Sequence, residues 1–372
     1  VVASPGEVMK VAFGDRLAGA IHAGMPWLGP ALARIESSVL RDEIDQHPVT
    51  RPIYVCGLAR AGSTLLLETL NEHSATTAHR YADYRMLWTP YWWNWLRARA
   101  VLSTEAQVSE RAHGDRIRVS VESPEAFEEV LWMRFYPHLH QERMPEALGV
   151  DDFNPVFNRL LHDHISKLLA ARGAPRYLAK ANYHVNRVPL LARMFPDAKF
   201  VVPVREPLSH VASLVRQNRI FSEAGRGNAA VRRHLQRVGH FEFGLDKRAT
   251  MLGDGTAAHA SIADFARGMD APAYARQWAA VYQQLLDVLD RHDALRRSVM
   301  IVRYERLCSE PQDVLPAVFT HCDLFDTEAR TLIQRRASTI SAPDYYEERF
   351  DEGTRKAIVD ITRETARRLG YE

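Results

Sequence analysis

Gly57-Leu58-Ala59-Arg60-Ala61-Gly62-Ser63-Thr64 is the stretch on which the fold turns. It follows a short apolar run, 52–56, and leads directly into a segment with helical spacing, 63–71. A strand that ends in glycine, curls and enters a helix aims first-turn N–H groups at an anion. The spacing is that of a phosphate loop, G-x-x-x-x-G-K-[ST], but Ser63 stands where the lysine belongs. An enzyme that works on a nucleoside triphosphate needs that lysine against the β- and γ-phosphates, so its loss disfavours that class. The cation lies three positions earlier, at Arg60, where a guanidinium can bridge two oxygens of one anion. Ser63 and Thr64 add hydroxyl donors, or cap the helix. The bland alternative is a Gly-rich turn carrying a solvated arginine. Taken alone, the loop specifies an anion and not which one.

Working outward, three more apolar runs read as buried strands: 176–180, 199–204 and 298–302. Near-continuous apolarity is expected of parallel strands covered on both faces. Helical patterns at 155–171, 207–219, 271–292 and 311–321 alternate with them. The fold class is therefore α/β, a three-layer, P-loop-like arrangement: a central parallel sheet, flanking helices and a helical substrate cap. One domain spanning 1–372 is expected, with a nucleotide core at about 50–310 and helical extensions at both ends. The stretch 222–260 has several glycines and little periodicity, and reads as a mobile insertion over a site. The aromatic segment 88–95 reads as a core or interface helix, or as the wall of a substrate pocket.

A second anion motif follows the strand at 199–204: Arg205-Glu206-Pro207-Leu208-Ser209-His210-Val211-Ala212-Ser213. Pro207 suits the first turn of a helix, which puts Ser213 about two turns in. An ion pair between Arg205 and Glu206 is the plain alternative. A third element, Val302-Arg303-Tyr304-Glu305-Arg306-Leu307, follows the last strand.

The loop resembles the 5′-phosphosulfate loop of sulfotransferases that use 3′-phosphoadenosine 5′-phosphosulfate (PAPS), whose usual form is Pro-(Lys/Arg)-Ser-Gly-Thr-Thr. This chain keeps the cation, the glycine and both hydroxyls, and has Ala59 and Ala61 for the proline and first serine. In that family an arginine ending the later strand and a serine eight residues on hold the 3′-phosphate, which is the spacing of Arg205 and Ser213. The Tyr304-Glu305 pair is similar to a family element whose tyrosine helps hold adenine. The resemblance implies a sulfotransferase of the bacterial, Golgi-like branch. Gly57, Arg60, Ala61, Gly62, Ser63, Thr64, Lys180, Arg205, Ser213 and Tyr304 would bind the nucleotide. PAPS would be the donor and adenosine 3′,5′-bisphosphate (PAP) the product, with no metal. Other readings are a P-loop nucleotide kinase and a non-catalytic PAP-binding protein.

Sulfuryl transfer leaves charge on the departing phosphate and a proton on the acceptor. Arg60 suits the first. Two residues compete for the second. Asp83, in Arg80-Tyr81-Ala82-Asp83-Tyr84-Arg85, lies after the loop helix, where some tyrosylprotein, bacterial and Golgi-like members place a catalytic carboxylate. His184, in Lys180-Ala181-Asn182-Tyr183-His184, resembles the Lys-x-His of cytosolic members, but with two extra residues between. Glu242 is a further possibility. The bland readings are a salt bridge to Arg80 or Arg85 for Asp83, and a cap or loop residue for His184.

The remaining composition narrows the class. Lys plus Arg is 48 against 46 Asp plus Glu, without a block of like charge, which argues against a nucleic-acid partner. Only six of those cations are lysine. Cys56, Cys308 and Cys322 are too few and too scattered for a disulfide framework or a cysteine zinc site. The His138/His140 and His162/His164 pairs read as surface or structural residues rather than ligands. Residues 1–30 lack the pattern of a signal peptide and no run reaches the length of a membrane span, so a cytoplasmic protein is expected. A small-molecule, sugar or lipid acceptor is the expected partner.

Overall fold

Five strands form one all-parallel sheet. They are β1 (Ile53–Val55), β2 (Thr76–Thr77), β3 (Arg176–Lys180), β4 (Lys199–Val204) and β5 (Val299–Arg303), in the spatial order β2-β3-β1-β4-β5. This is a computed structural model, and it describes residues 11–99, 109–110, 118–142, 144–341 and 349–371. Successive side chains of a strand point to opposite faces, and both faces here are covered. Tyr54, Cys56, Tyr177, Phe200 and Val202 enter one core with Trp132, Phe157, Leu161, Trp278 and Tyr282. Ile53, Val55, Leu178, Val201 and Val302 enter the other with Leu66, Leu70, Leu315, Val318 and Phe319. The result is the three-layer α/β arrangement that the alternating runs imply.

The expected elements fall close to their places. The helices at Ser63–Asn71 and Pro311–His321 and the strands β3 and β4 have the bounds read from the sequence. The helix beginning at Pro207 runs on to Gly227, well past the expected end. The stretch 222–260 is not a mobile insertion. It contains the helices Ala229–Arg237 and part of Thr256–Ala266, and it buries Phe241, Phe243, Met251 and Leu252. Its anchors are spaced irregularly, so no period betrays them. The aromatic segment is only half in the core: Trp88, ahead of the helix Pro90–Arg99, is buried, Trp93 is half-buried and donates its indole N–H to the Ala82 carbonyl at 2.8 Å, and Trp95 is exposed. Among the described residues, no helix is long and apolar enough to cross a membrane.

The chain order positions the site. From β1 the chain moves to one side for β2 and β3, then to the other for β4 and β5. The reversal falls between β1 and β4, and a crevice opens at the C-terminal ends of strands where the order reverses. Val55, the last residue of β1, is level with Lys180, the last of β3, and with Val201 of β4.

Candidate active site

The turn after β1 is built from two positive-φ residues, Arg60 at φ 72° and Gly62 at φ 101°. Glycine is needed at 62 on two counts. The left-handed backbone disfavours a side chain, and a β-carbon there would lie 2.5 Å from the Tyr304 ring. Gly57 serves close packing instead: a β-carbon would meet the Pro203 carbonyl oxygen of β4 at 2.8 Å. Gly62 N-caps the helix Ser63–Asn71, so the first-turn N–H groups point out of the helix end, where Ser63 is buried. The Ala61 N–H already donates to the Leu58 carbonyl.

Both anion motifs meet there. Arg60 Nε donates to Ser213 Oγ at 3.3 Å, and an Arg205 N–H reaches the Arg60 carbonyl at 3.5 Å. The Arg205 guanidinium also lies over the Tyr304 ring, 4.9 Å from its centre. Tyr304 packs against both turns, beside Gly62 and under the Arg205 guanidinium. Arg205 and Ser213 are buried, so the cluster is part of the folded framework and not a surface accident. The alternative pairing of Arg205 with Glu206 is not what forms. Glu206 caps the helix Pro207–Gly227, accepting from the amides of Leu208 at 2.9 Å and Ser209 at 2.7 Å. Lys180 ends β3 directly beside the end of β1.

Several supporting residues escape any motif. His210 is fully buried and its Nε2–H donates to the Ala59 carbonyl at 2.8 Å, pinning the loop to the 207–227 helix. Burial lowers its pKa to about 3, which favours the neutral ring in this hydrogen bond. Trp278 donates to the Arg205 carbonyl at 3.2 Å. Glu305 accepts from the Glu206 amide at 2.8 Å and from the Tyr371 hydroxyl at 2.9 Å. His210 lies inside the second motif, but nothing in its spacing marks it as a strut.

The two candidate proton acceptors do not belong to this cluster. Asp83 is buried and gripped by Arg172 through both carboxylate oxygens at 2.8 and 2.7 Å, not by Arg80 or Arg85. Burial alone would raise its pKa, but His79, Arg172 and the Arg80 amide outweigh it and hold the carboxyl well below the usual range. A carboxylate so occupied is a poor proton acceptor. His184 is fully buried between Tyr54 and Trp132, with Nε2 2.7 Å from Glu128 Oε2. Glu128 also accepts from the Tyr177 hydroxyl at 2.5 Å. Asp83 and His184 thus both lie in the core, hydrogen-bonded to Arg172 and to Glu128 rather than to the anion turn. The sequence separates a base from a buried pair only when the partner is known, and Arg172 and Glu128 lie 89 and 56 residues away.

Glu242 is placed differently. Asn182, two residues beyond Lys180, donates to Glu242 Oε1 at 2.6 Å, and His240 Nδ1 lies 2.6 Å from Glu242 Oε2. Burial opposes the charge on Glu242, yet His240 and Asn182 bring its pKa down to about 2. The other histidine pairs are structural. His140 sits in a buried network with Glu129, Glu146 and Arg187, and His164 Nε2 faces His79 Nε2 at 3.2 Å. Among the described residues, one trio of metal-type donors, His73, Asp326 and Glu328, comes together. It lies toward the N-terminal edge of the sheet, where Asp326 caps the helix Thr327–Ala337 and Glu328 accepts from Ser74.

Comparison with known proteins bears on the fold and the family. No curated protein sequence matches the chain significantly. Sulfotransferase STF9 from Mycobacterium avium superposes with a TM-score of 0.51 at 14% identity, covering 91% of this chain and 82% of that one. Sulfotransferase STF1 from Mycobacterium tuberculosis H37Rv gives 0.47 at 15%, covering 95% and 88%. The sulfotransferase domain from the curacin biosynthetic pathway gives 0.41 at 18%, covering 87% and 99%. Residues 52–251, more than half of the chain and including both anion motifs, match the sulfotransferase family, and the chain belongs to it.

Proposed function

We propose that this protein transfers a sulfuryl group from PAPS to a hydroxyl or amine of a small-molecule, sugar or lipid acceptor, releasing PAP. One observation carries the reading: the Arg60 turn and the Arg205 turn are joined through Ser213 and the Arg60 carbonyl, so one nucleotide with two separated anionic groups can touch both. The residues present suit such a ligand. The turn is narrow enough to require Gly62, and the donors converging on it are cations, hydroxyls and helix-end amides. When bound, the donor supplies an activated sulfuryl group for in-line displacement.

Each side chain then has a task. Arg60, Ser63, Thr64 and the first-turn amides of the helix Ser63–Asn71 steady the charge that grows on the departing 5′-phosphate. Arg205 and Ser213 hold the 3′-phosphate, and Tyr304 packs against both turns. Lys180 adds a second cation at the sulfuryl end. Calorimetric titration tests the reading without a guess about the acceptor: PAP binds and magnesium-ATP does not. Arg205→Ala weakens PAP binding, and Arg60→Ala abolishes turnover of labelled PAPS with a panel of acceptors. Tight magnesium-ATP binding with no PAP binding would overturn the assignment in favour of a kinase.

A further inference from the structure

A pocket of about 570 Å³ is lined by residues at the starts of β1 and β3 and by the loop after the helix Pro311–His321. That is the size of a small-molecule site. Thr50 and Arg51 come from the approach to β1, Arg176 opens β3, and Asp323, Phe325 and Asp326 belong to the loop. The anion turn lies at the other end of the sheet. Lys180, beside the end of β1, is the last residue of β3, and Arg176 is the first. Four steps along a strand separate those ends by about 13 Å. The pocket is therefore distinct from the proposed transfer site.

Arg176 is the buried cation of this lining, only 4% exposed. Its Nε donates to the Arg51 carbonyl at 2.7 Å, and its Nη2 donates to the same oxygen. Among the described residues, no carboxylate pairs with this guanidinium and Nη1 makes no hydrogen bond. Nη1 is not sealed off either, and Arg176 lines the pocket. A buried charge is ordinarily paired, yet the acids nearby are engaged elsewhere. Asp323 Oδ2 lies 3.5 Å from Lys199 Nζ and 3.9 Å from Arg51 Nη1. Asp326 Oδ1 accepts from the Ala329 amide at 2.9 Å and lies 3.2 Å from His73 Nε2. Asp197 accepts from the Arg51 amide at 2.7 Å. Burial first, and then repulsion from Arg51, lowers the pKa of Arg176; the pull of Asp323 or of Asp197 is smaller.

We propose that this pocket is a second anion site, in which Arg176 and Arg51 bind the anionic oxygens of a small molecule bearing a phosphate or carboxylate. The site does not depend on the PAPS reading. A guanidinium offers N–H groups in a fixed plane to the oxygens of an anion. Arg176 is already fixed by the Arg51 carbonyl, so little side-chain freedom is lost when a ligand arrives. Lys199, through Asp323, adds positive charge to the same end of the sheet. Phe325, 41% exposed, gives the lining an apolar surface for the rest of the ligand. A bound anion joins the residue that precedes β1 to the residue that opens β3, and so stabilises the fold by mass action.

The test titrates inorganic phosphate and succinate, by calorimetry, into the unaltered chain and into Arg51→Gln, Arg176→Lys and Arg60→Ala, with thermal melting as the check on folding. Expected is binding of at least one probe to the unaltered chain, with a raised Tm. Arg60→Ala, altered only at the anion turn, keeps that binding. Arg51→Gln and Arg176→Lys weaken it by about 10- to 100-fold, the usual effect of losing a hydrogen bond to a charged group. Phosphate binding alone marks a phosphate ligand, and succinate binding alone a carboxylate. The Arg51 side chain is 53% exposed, so Arg51→Gln decides the question if Arg176→Lys does not fold. No binding of either probe overturns the site. So does binding that is lost in Arg60→Ala and kept in the two pocket variants, which belongs to the anion turn. Titration of the unaltered chain with PAP reads the donor assignment separately.

Discussion

At the level of single residues, the anion turn rests on two unusual backbone conformations, and only one belongs to a glycine. Arg60 accepts the left-handed conformation because its side chain and its carbonyl are both engaged, by Ser213 and by Arg205. Gly62 has no such compensation to offer a larger residue. Gly62→Ala is expected to cost about 1–3 kcal/mol in backbone strain and to displace Tyr304, which supports Arg205. PAP calorimetry should then show affinity lowered by roughly tenfold or more, and an unchanged Kd would remove Tyr304 from the proposed site. Residue identity was a sound guide here, since a Gly between a cation and two hydroxyls has few other uses. It says nothing of surroundings: Asp83 and His184 have the chemistry of a base but lie buried in the core.

At the level of elements, the helix Pro207–Gly227 does most of the positioning. It begins at Pro207, is capped by Glu206, carries Ser213 to Arg60 and His210 to the Ala59 carbonyl, and ends beyond Phe221 beside His240. The Glu206 cap is itself held by Glu305. Removing it with Glu206→Ala is expected to lower stability by about 1 kcal/mol, the usual cost of an N-cap. It is also expected to loosen Ser213, so that a urea midpoint shift comes with weaker PAP binding. A stability loss with unchanged PAP affinity would show that the far end of the helix suffices to hold Ser213. The start of this helix was legible because Pro207 marks it. Its length was not, because the turns past Arg219 are held by tertiary packing, such as Phe221 against His240 and Phe243.

Across the whole molecule, buried charge is arranged in closed pairs that join distant segments. The network of Glu129, His140, Glu146 and Arg187 ties the helix Glu128–Phe135 to the turn after β3. Burial opposes the charge on His140, but Glu129 and Glu146 raise its pKa to about 9, above the 6.5 of an ordinary histidine. A folded pKa above the unfolded one means stability that is full below pH 6.5 and is lost as pH rises through 9. Thermal denaturation from pH 6 to 10 should therefore show Tm falling over that window. His140→Gln should be less stable at pH 6.5, by about 3–5 kcal/mol for a broken buried pair, and should lack this slope. A native Tm that is flat over the window would mean that His140 is neutral in the folded protein.

Local sequence determined the strand and helix segments and the glycine turn, because each depends on near neighbours: apolar runs, a helix start, a backbone that needs no β-carbon. Only the tertiary structure decided which polar groups face the site. Arg60 meets Ser213 across 153 residues, Asp83 meets Arg172 across 89, and Asn182 meets Glu242 across 60. A side chain's role follows from the charge and water around it, and those are supplied by segments that become neighbours only when the chain has folded.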